Sequence, residues 1–313
     1  MTSDAITPDA MTSDATLSIE NPALRPRRSV LYMPGSNARA MEKARTLPAD
    51  VLVFDLEDAV APEQKDHARA QIRAALESGG YGGRELVVRI NGLDTPWAQD
   101  DLAAIAPAGP QAILVPKVDA PGQVMRAGQA LTEAGAPPDT RVWIMVETPL
   151  AVLDIRNIAM TAIDSASRLA VMVMGVNDIA KATRATIGPG RANLQPVLLQ
   201  CLLAARAFGL DILDGVFNDF ADLEGLRAEG TLARDLGFDG KTLIHPSQIA
   251  AANEIFAPAA ADVAAAQAII AAFSQPENAG KGAISLDGRM VERLHADMAR
   301  RTLAMAEAIT RLG

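Results

Sequence analysis

The sequence predicts an α/β protein of the (β/α)₈-barrel type with a C-terminal helical tail or lid. Three observations predict it. From Arg28 onward, short segments rich in Val, Ile and Leu alternate with longer Ala-rich stretches, as parallel strands joined by helical crossovers require. Eight strand segments can be counted, the number that closes a barrel. The turn after the first, PGSNAR, lacks the G-x-G-x-x-G spacing that an open doubly wound sheet normally places there.

In chain order the strands are SVLYMP (29–34), VLVFDLE (51–57), ELVVRI (85–90), AILVPKV (112–118), VWIMVE (142–147), LAVMVMG (169–175), ILDGVF (212–217) and GKTLIH (240–245). Helix-start signals stand between them: Ser36 and Asn37 open the first helix, and Pro62 and Glu63 occupy the first turn of the second. Residues 1–25 contain an imperfect repeat, MTSDAIT and MTSDATL, without a basic segment followed by an apolar one, and read as a flexible leader of a cytoplasmic protein. The barrel is expected over 26–256 and the tail over 257–313. In the tail, Gly- and Ser-containing turns precede a long amphipathic helix from about Met290. That helix reads either as an outer layer on the barrel or as a lid across the rim of its own or a neighbouring subunit.

Composition narrows the function. Hydrophobic residues make up 49% and charged residues 21%, ordinary values for a globular domain. The net charge of −9, from 38 acidic and 29 basic residues, argues against nucleic acid, whose phosphates need a basic face. No run of about eighteen uninterrupted apolar residues is present to span a bilayer. The one cysteine, Cys201, cannot form an internal disulfide, and in the apolar run LLQCLLAARAF it reads as a small core residue.

Most of the strand segments end in polar residues: Glu57 and Asp58, Arg89, Lys117, Glu147, Asp178 and His245. In a closed barrel those ends converge on the face where barrel enzymes place their chemistry. Glu147 closes a buried strand, and Asp178 follows the next one after Gly175, which lets the backbone turn. Neighbouring strands lie about 5 Å apart, so the two carboxylates can share one cation, and an all-oxygen set suits Mg²⁺. The same residues also fit a rim salt bridge from Glu147 to Arg89 or Lys117 and a helix cap by Asp178. Arg89, a permanent cation in VVRING, can contact a carboxylate or a developing enolate, or pair with Asp55, Glu57 or Asp58. Glu57 and Asp58 suit water-mediated support of a metal or capping of the next helix. His245 reads as a rim residue, and His67 and His295 receive no role.

The ordered motifs RSVLYMPGSN, VFDLEDAVAPEQK, VVRING, ILVPKV, VETPLAV, MGVNDIA and GFDGKTLIHPSQI resemble the citrate lyase beta-subunit-like family, which includes citramalyl-CoA and malyl-CoA lyases. The resemblance covers nearly everything after Arg28. It implies Mg²⁺ held by Glu147 and Asp178, substrate contacts from Arg89 and Glu147, and a CoA thioester along the rim, with Lys43 of PGSNARAMEKA and His245 and Pro246 of the GKTLIHP segment as CoA contacts. It also implies a homotrimer or hexamer. Many members carry an Asp in a Met-Ile-Asp stretch of the tail as acid/base, whereas this chain reads GRMVERLH, placing Glu292 there with Asp287 nearby. The expected activity is cleavage of a malyl- or citramalyl-type CoA ester to acetyl-CoA and a 2-oxo acid. Alternatives are a malyl-CoA thioesterase, a citrate lyase beta subunit acting on an acyl-carrier thioester, and an inactive CoA-binding regulatory barrel.

Overall fold

The computed structural model describes residues 24–312, so all but the end of the expected leader lies outside the described residues. Eight parallel strands, β1 (Ser29–Pro34), β2 (Val51–Asp55), β3 (Glu85–Arg89), β4 (Ala112–Val115), β5 (Arg141–Val146), β6 (Leu169–Met174), β7 (Asp211–Asp214) and β8 (Gly240–Leu243), pair in sequence order. The barrel closes where Ser29, Val30 and Leu31 pair with Lys241, Thr242 and Leu243. Most strands stop one to three residues earlier than their apolar runs suggest, because the final polar residues already belong to the rim loops.

The strand sequences read as continuous apolar runs because both faces are covered. Val30, Val51, Val53, Val87, Leu114, Trp143, Val171, Val173 and Leu213 fill the barrel interior. The alternate residues, such as Leu31, Leu52, Phe54, Ile144 and Met172, pack outward against the helices. Burying a Leu- or Phe-sized side chain contributes roughly 1.5–3 kcal/mol each, an upper bound against an extended chain. The N-terminal segment is anchored at the barrel base, where Arg27 pairs with Glu85 and Asp211 and Arg25 donates to the Gly83 carbonyl at 2.8 Å.

The tail differs from expectation at its start. Met290 lies in a hairpin of β9 (Ala283–Leu286) and β10 (Arg289–Glu292), and the long helix begins at Arg293 and runs to Leu312. Asp287 and Gly288 form the turn with φ of 50° and 76°, the two positive values that a tight Asp-Gly hairpin needs. The helix 293–312 packs on the helix Ala260–Phe273 and on the N-terminal end of the barrel. There Arg301 meets Asp239, just before β8, at 3.3 Å, and Leu312 sits so close to Gly83, before β3, that a Cβ there would come within 2.9 Å of it. The tail thus covers the face opposite the strand C-termini and is no lid over its own rim.

The stretch Pro246–Phe273 reaches a mean hydropathy of 1.7, yet it is divided at Ala257–Ala259 into helices of 8 and 14 residues. Both are short of the roughly 20 residues that span a bilayer.

Candidate active site

A cavity of about 350 Å³ opens at the C-terminal face of the strands, and its walls include Tyr32, Asp55, Asp58, Arg89, Met145, Gly175 and Asp178. Arg89, the last residue of β3, donates from Nε to Asp55 Oδ1 at 2.7 Å and from Nη2 to Asp55 Oδ2 at 2.6 Å. Its Nη1 lies 2.9 Å from Glu57 Oε2, an ion pair lacking hydrogen-bond alignment, and 3.7 Å from the Met145 sulfur. The guanidinium sits 5.1 Å from the Tyr32 ring centroid. Burial alone would favour a neutral group, but Asp55 outweighs it and holds the guanidinium charged.

Asp55 does more than pair. Its carboxylate also accepts the backbone N–H groups of Glu57 and Ala59 at 2.9 and 3.1 Å, which folds the LED loop around the arginine. Lys65 reinforces that loop by donating to the carbonyls of Leu56 and Glu57 and to Asn91 Oδ1, at 2.6, 2.9 and 2.7 Å. Asn91, two residues beyond Arg89, donates back to the Leu56 carbonyl at 3.0 Å. The VFDLEDAVAPEQK and VVRING motifs are therefore one cross-tied unit whose product is a fixed guanidinium.

Glu147 follows β5 and is buried. Lys117 adopts a left-handed backbone with φ of 54°, a conformation costing about 1 kcal/mol or more in a non-glycine residue. That geometry aims its N–H at Glu147 Oε1, at 2.6 Å, while its ammonium reaches Glu57 Oε1 at 2.7 Å. Lys117 thus links the Glu147 side of the site to the arginine side. Burial pushes the Glu147 carboxyl up to about 7, with the Lys117 N–H opposing and the Glu57 and Asp178 charges adding to the rise. Burial likewise pushes Glu57 up against Arg89 and Lys117.

Asp178 stands in the first turn of the helix Val176–Thr183, half-buried and lining the cavity. The expected reason for Gly175 needs correction: its φ is −91°, which any residue can adopt. A Cβ there would fall 2.3 Å from Glu147 Cβ, so the glycine is required to let the Glu147 side chain lie against the cavity wall.

The remaining candidates divide. His245 and Pro246 sit at the rim next to Ile244, a cavity residue. His245 accepts the Ser247 N–H at 3.2 Å and stacks on Phe220 with centroids 4.8 Å apart, so it shapes the turn. Lys241 of the same segment is fully buried among Asp214, Glu229 and the Gly215 carbonyl and is closed to a phosphate. Lys43 is exposed on the helix Ala38–Ala44 and is not among the residues lining the cavity. The structure does not bring Glu292 or Asp287 to this cavity: both belong to the tail hairpin, whose following helix is anchored to the opposite end of the barrel. Glu292 uses its N–H to donate to His295 Nδ1 at 3.0 Å. Cys201 is buried, and burial pushes its thiol up to about 12, leaving it unreactive. Sequence reasoning gave Asp55 and Lys117 only salt-bridge roles and did not single out Tyr32, Lys65 or Asn91. The acid in FDLED was a visible signal for Asp55, whereas the positive φ of Lys117 leaves none.

Among the described residues no group of three or more His, Cys, Asp or Glu closes around an ion. A hard divalent cation still suits the site's charge: Asp55, Asp58 and Asp178 line the cavity with Arg89, and the Asp178 charge adds to the burial that raises the nearby Glu147 carboxyl, so added positive charge would favour its ionised form. Two carboxylate oxygens with room for water or substrate match the habit of Mg²⁺.

The profile of the family described as HpcH/HpaI aldolase/citrate lyase matches residues 28–246. The chain is 49% identical over 288 residues to a (3S)-malyl-CoA thioesterase of Cereibacter sphaeroides, covering 92% of this chain and 97% of that one. It is 36% identical to the citrate lyase subunit beta of Leuconostoc mesenteroides, covering 91% and 94%. The crystal structure of CitE from Mycobacterium tuberculosis, in complex with magnesium, acetoacetate and coenzyme A, superposes with a TM-score of 0.70 at 30% identity, over 91% of this chain and 99% of that one.

Proposed function

Because the chain belongs to the HpcH/HpaI aldolase/citrate lyase family, we propose that this member of a CoA-ester lyase group is a Mg²⁺-dependent enzyme that cleaves a malyl- or citramalyl-type CoA ester to acetyl-CoA and a 2-oxo acid. The observation that carries the reading is a fixed Arg89 and Asp178 on the wall of one cavity, with Glu147 packed against Gly175 of that wall and within reach of the Asp178 charge. Glu147 and Asp178 would hold the metal, which supplies Lewis acidity and a template for the substrate's carboxylate and hydroxyl.

The bond that breaks joins the carbinol carbon to the carbon next to the thioester. The hydroxyl gives up its proton to a carboxylate and becomes the keto oxygen, and the electron pair of the broken C–C bond moves to the thioester as an enolate. Arg89, held flat by the two-pronged grip of Asp55, offers fixed positive charge to that enolate oxygen, and because Asp55 and the LED loop already orient it, little reorganisation accompanies the charge shift. A carboxylic acid then returns a proton to the enolate carbon. Glu292 is the tail acid in the matching position, and from the opposite face of its own barrel it would serve a neighbouring copy, within a trimer or hexamer. Mixing Glu147→Ala and Glu292→Gln chains tests this: hybrid assemblies recover activity that neither variant has alone, and no recovery rejects service in trans.

A second reading, a (3S)-malyl-CoA thioesterase, is favoured by the relative of that name at 49% identity. Incubating the protein with Mg²⁺ and malyl-, citramalyl- or citryl-CoA separates the readings. Oxo acid and acetyl-CoA without free thiol support the lyase, and free CoA with the intact hydroxy acid supports direct hydrolysis. No turnover unless an acyl-carrier protein is supplied points to a citrate lyase subunit, and binding without any turnover to a regulatory barrel.

A further inference from the structure

Strand β5 alternates, so Trp143 and Met145 point into the barrel while Ile144 and Val146 point to the helices. Met145 is the last apolar inward residue below Glu147. It lines the cavity, and its sulfur lies 3.7 Å from Arg89 Nη1, so the thioether forms part of the cavity floor beside the arginine, two residues ahead of Glu147 in the chain. On the functional reading above, which this inference rests on, the carbon being cleaved sits between those same two groups. Whatever substituent that carbon carries must then meet the floor, and an unbranched thioether offers it an apolar surface of limited depth.

We propose that Met145 is the specificity-determining residue for that substituent, admitting hydrogen or methyl and rejecting longer alkyl groups. The 2-oxo acids released would accordingly be of the glyoxylate and pyruvate size. Adding or removing one methylene's worth of apolar space changes discrimination by roughly 10–200-fold, an effect large enough to read directly.

The test titrates glyoxylate, pyruvate and 2-oxobutyrate in the presence of Mg²⁺ into the wild type, Met145→Ala and Met145→Val by calorimetry, alongside kcat/KM for malyl-CoA and citramalyl-CoA. The wild type is expected to prefer the two smaller acids over 2-oxobutyrate at least tenfold, and the variants to narrow that gap tenfold or more. The two variants differ in how much floor they remove, and a ratio between ligands is independent of the fraction folded. A wild type with no preference, or a gap that moves less than threefold in both variants, overturns the proposal. If no ester is cleaved while the oxo-acid gap still closes, the lyase reading falls and the size rule stands. If esters are cleaved while the gap stays put, the reverse holds.

Discussion

The charge clusters around Asp214 and around Arg89 both grow from barrel strands, and they are balanced differently. At the end of β7, Asp214 accepts from Arg191 at 2.8 and 3.1 Å and from Lys241 at 2.6 Å. Lys241 also reaches Glu229 at 2.7 Å, and Arg191 Nε lies 3.2 Å from Glu229 Oε2. Two cations meet two anions with almost no exposure. Burial by itself would raise the Asp214 carboxyl, yet Lys241 and Arg191 outweigh it and hold the group below its usual range. Around Arg89, acids outnumber bases, and Glu147 is pushed up to about 7 first by burial and then by the Glu57 and Asp178 charges. A balanced cluster ties a loop and a helix to the barrel wall, whereas the unbalanced one, on the proposed reading, takes an external cation. Buried charge is therefore informative here through its balance more than its presence.

Glu147→Ala gives the sharpest contrast. Turnover should fall on the order of 10³-fold, the loss seen when a main electrostatic contact is removed, while the melting temperature of the metal-free protein at pH 8 holds or rises. The sign follows from linkage: a folded-state pKa above the unfolded value means that raising pH through about 7 ionises Glu147 at a cost to the metal-free fold, and the variant escapes that cost. A melting temperature several degrees lower would break the distinction between the clusters.

Asp214→Ala should show the opposite behaviour. Leaving Arg191 and Lys241 buried without their shared partner costs about 3–5 kcal/mol, read as a shift of the urea midpoint, with kcat per folded molecule retained. A variant of unchanged stability would mean that the cluster is dispensable to the fold.

A smaller effect concerns acidity. Mg²⁺ needs the ionised carboxylate, so its affinity, measured by calorimetry, should weaken toward tenfold per unit as pH falls below about 7, and a flat profile from pH 8 to 6 would remove Glu147 from the metal site. Smallest is Lys117→Met, which deletes a half-exposed contact to Glu57 but keeps the backbone N–H on Glu147. Lys117 is half-exposed and Glu57, though buried, keeps Arg89 beside it, so the pair contributes at most roughly 1 kcal/mol, and kcat should drop no more than about fivefold with Mg²⁺ affinity unchanged. A loss of metal affinity would show that the side chain, and not the main chain, holds Glu147.

Sequence alone determined the barrel, because alternating apolar runs buried on two faces and their count are local features of the chain. It also determined that Arg89, Glu147 and Asp178 stand at strand ends, since a polar residue closing an apolar run marks where the strand reaches the rim. Only the tertiary structure decided the rest. That Asp55 rather than Asp58 grips Arg89, that Gly175 is a glycine because of the Glu147 Cβ, and that Lys117 turns left-handed to bond that carboxylate all depend on distances between segments far apart in sequence. The position of the tail is of the same kind. The Asp287–Gly288 pair is a hairpin signal present in the chain, among the Gly- and Ser-containing turns ahead of the helix, but no local pattern says against which end of a barrel a helix packs. Contacts such as Arg301 with Asp239 and Leu312 with Gly83 decide it, and they place Glu292 away from the cavity that its own chain builds.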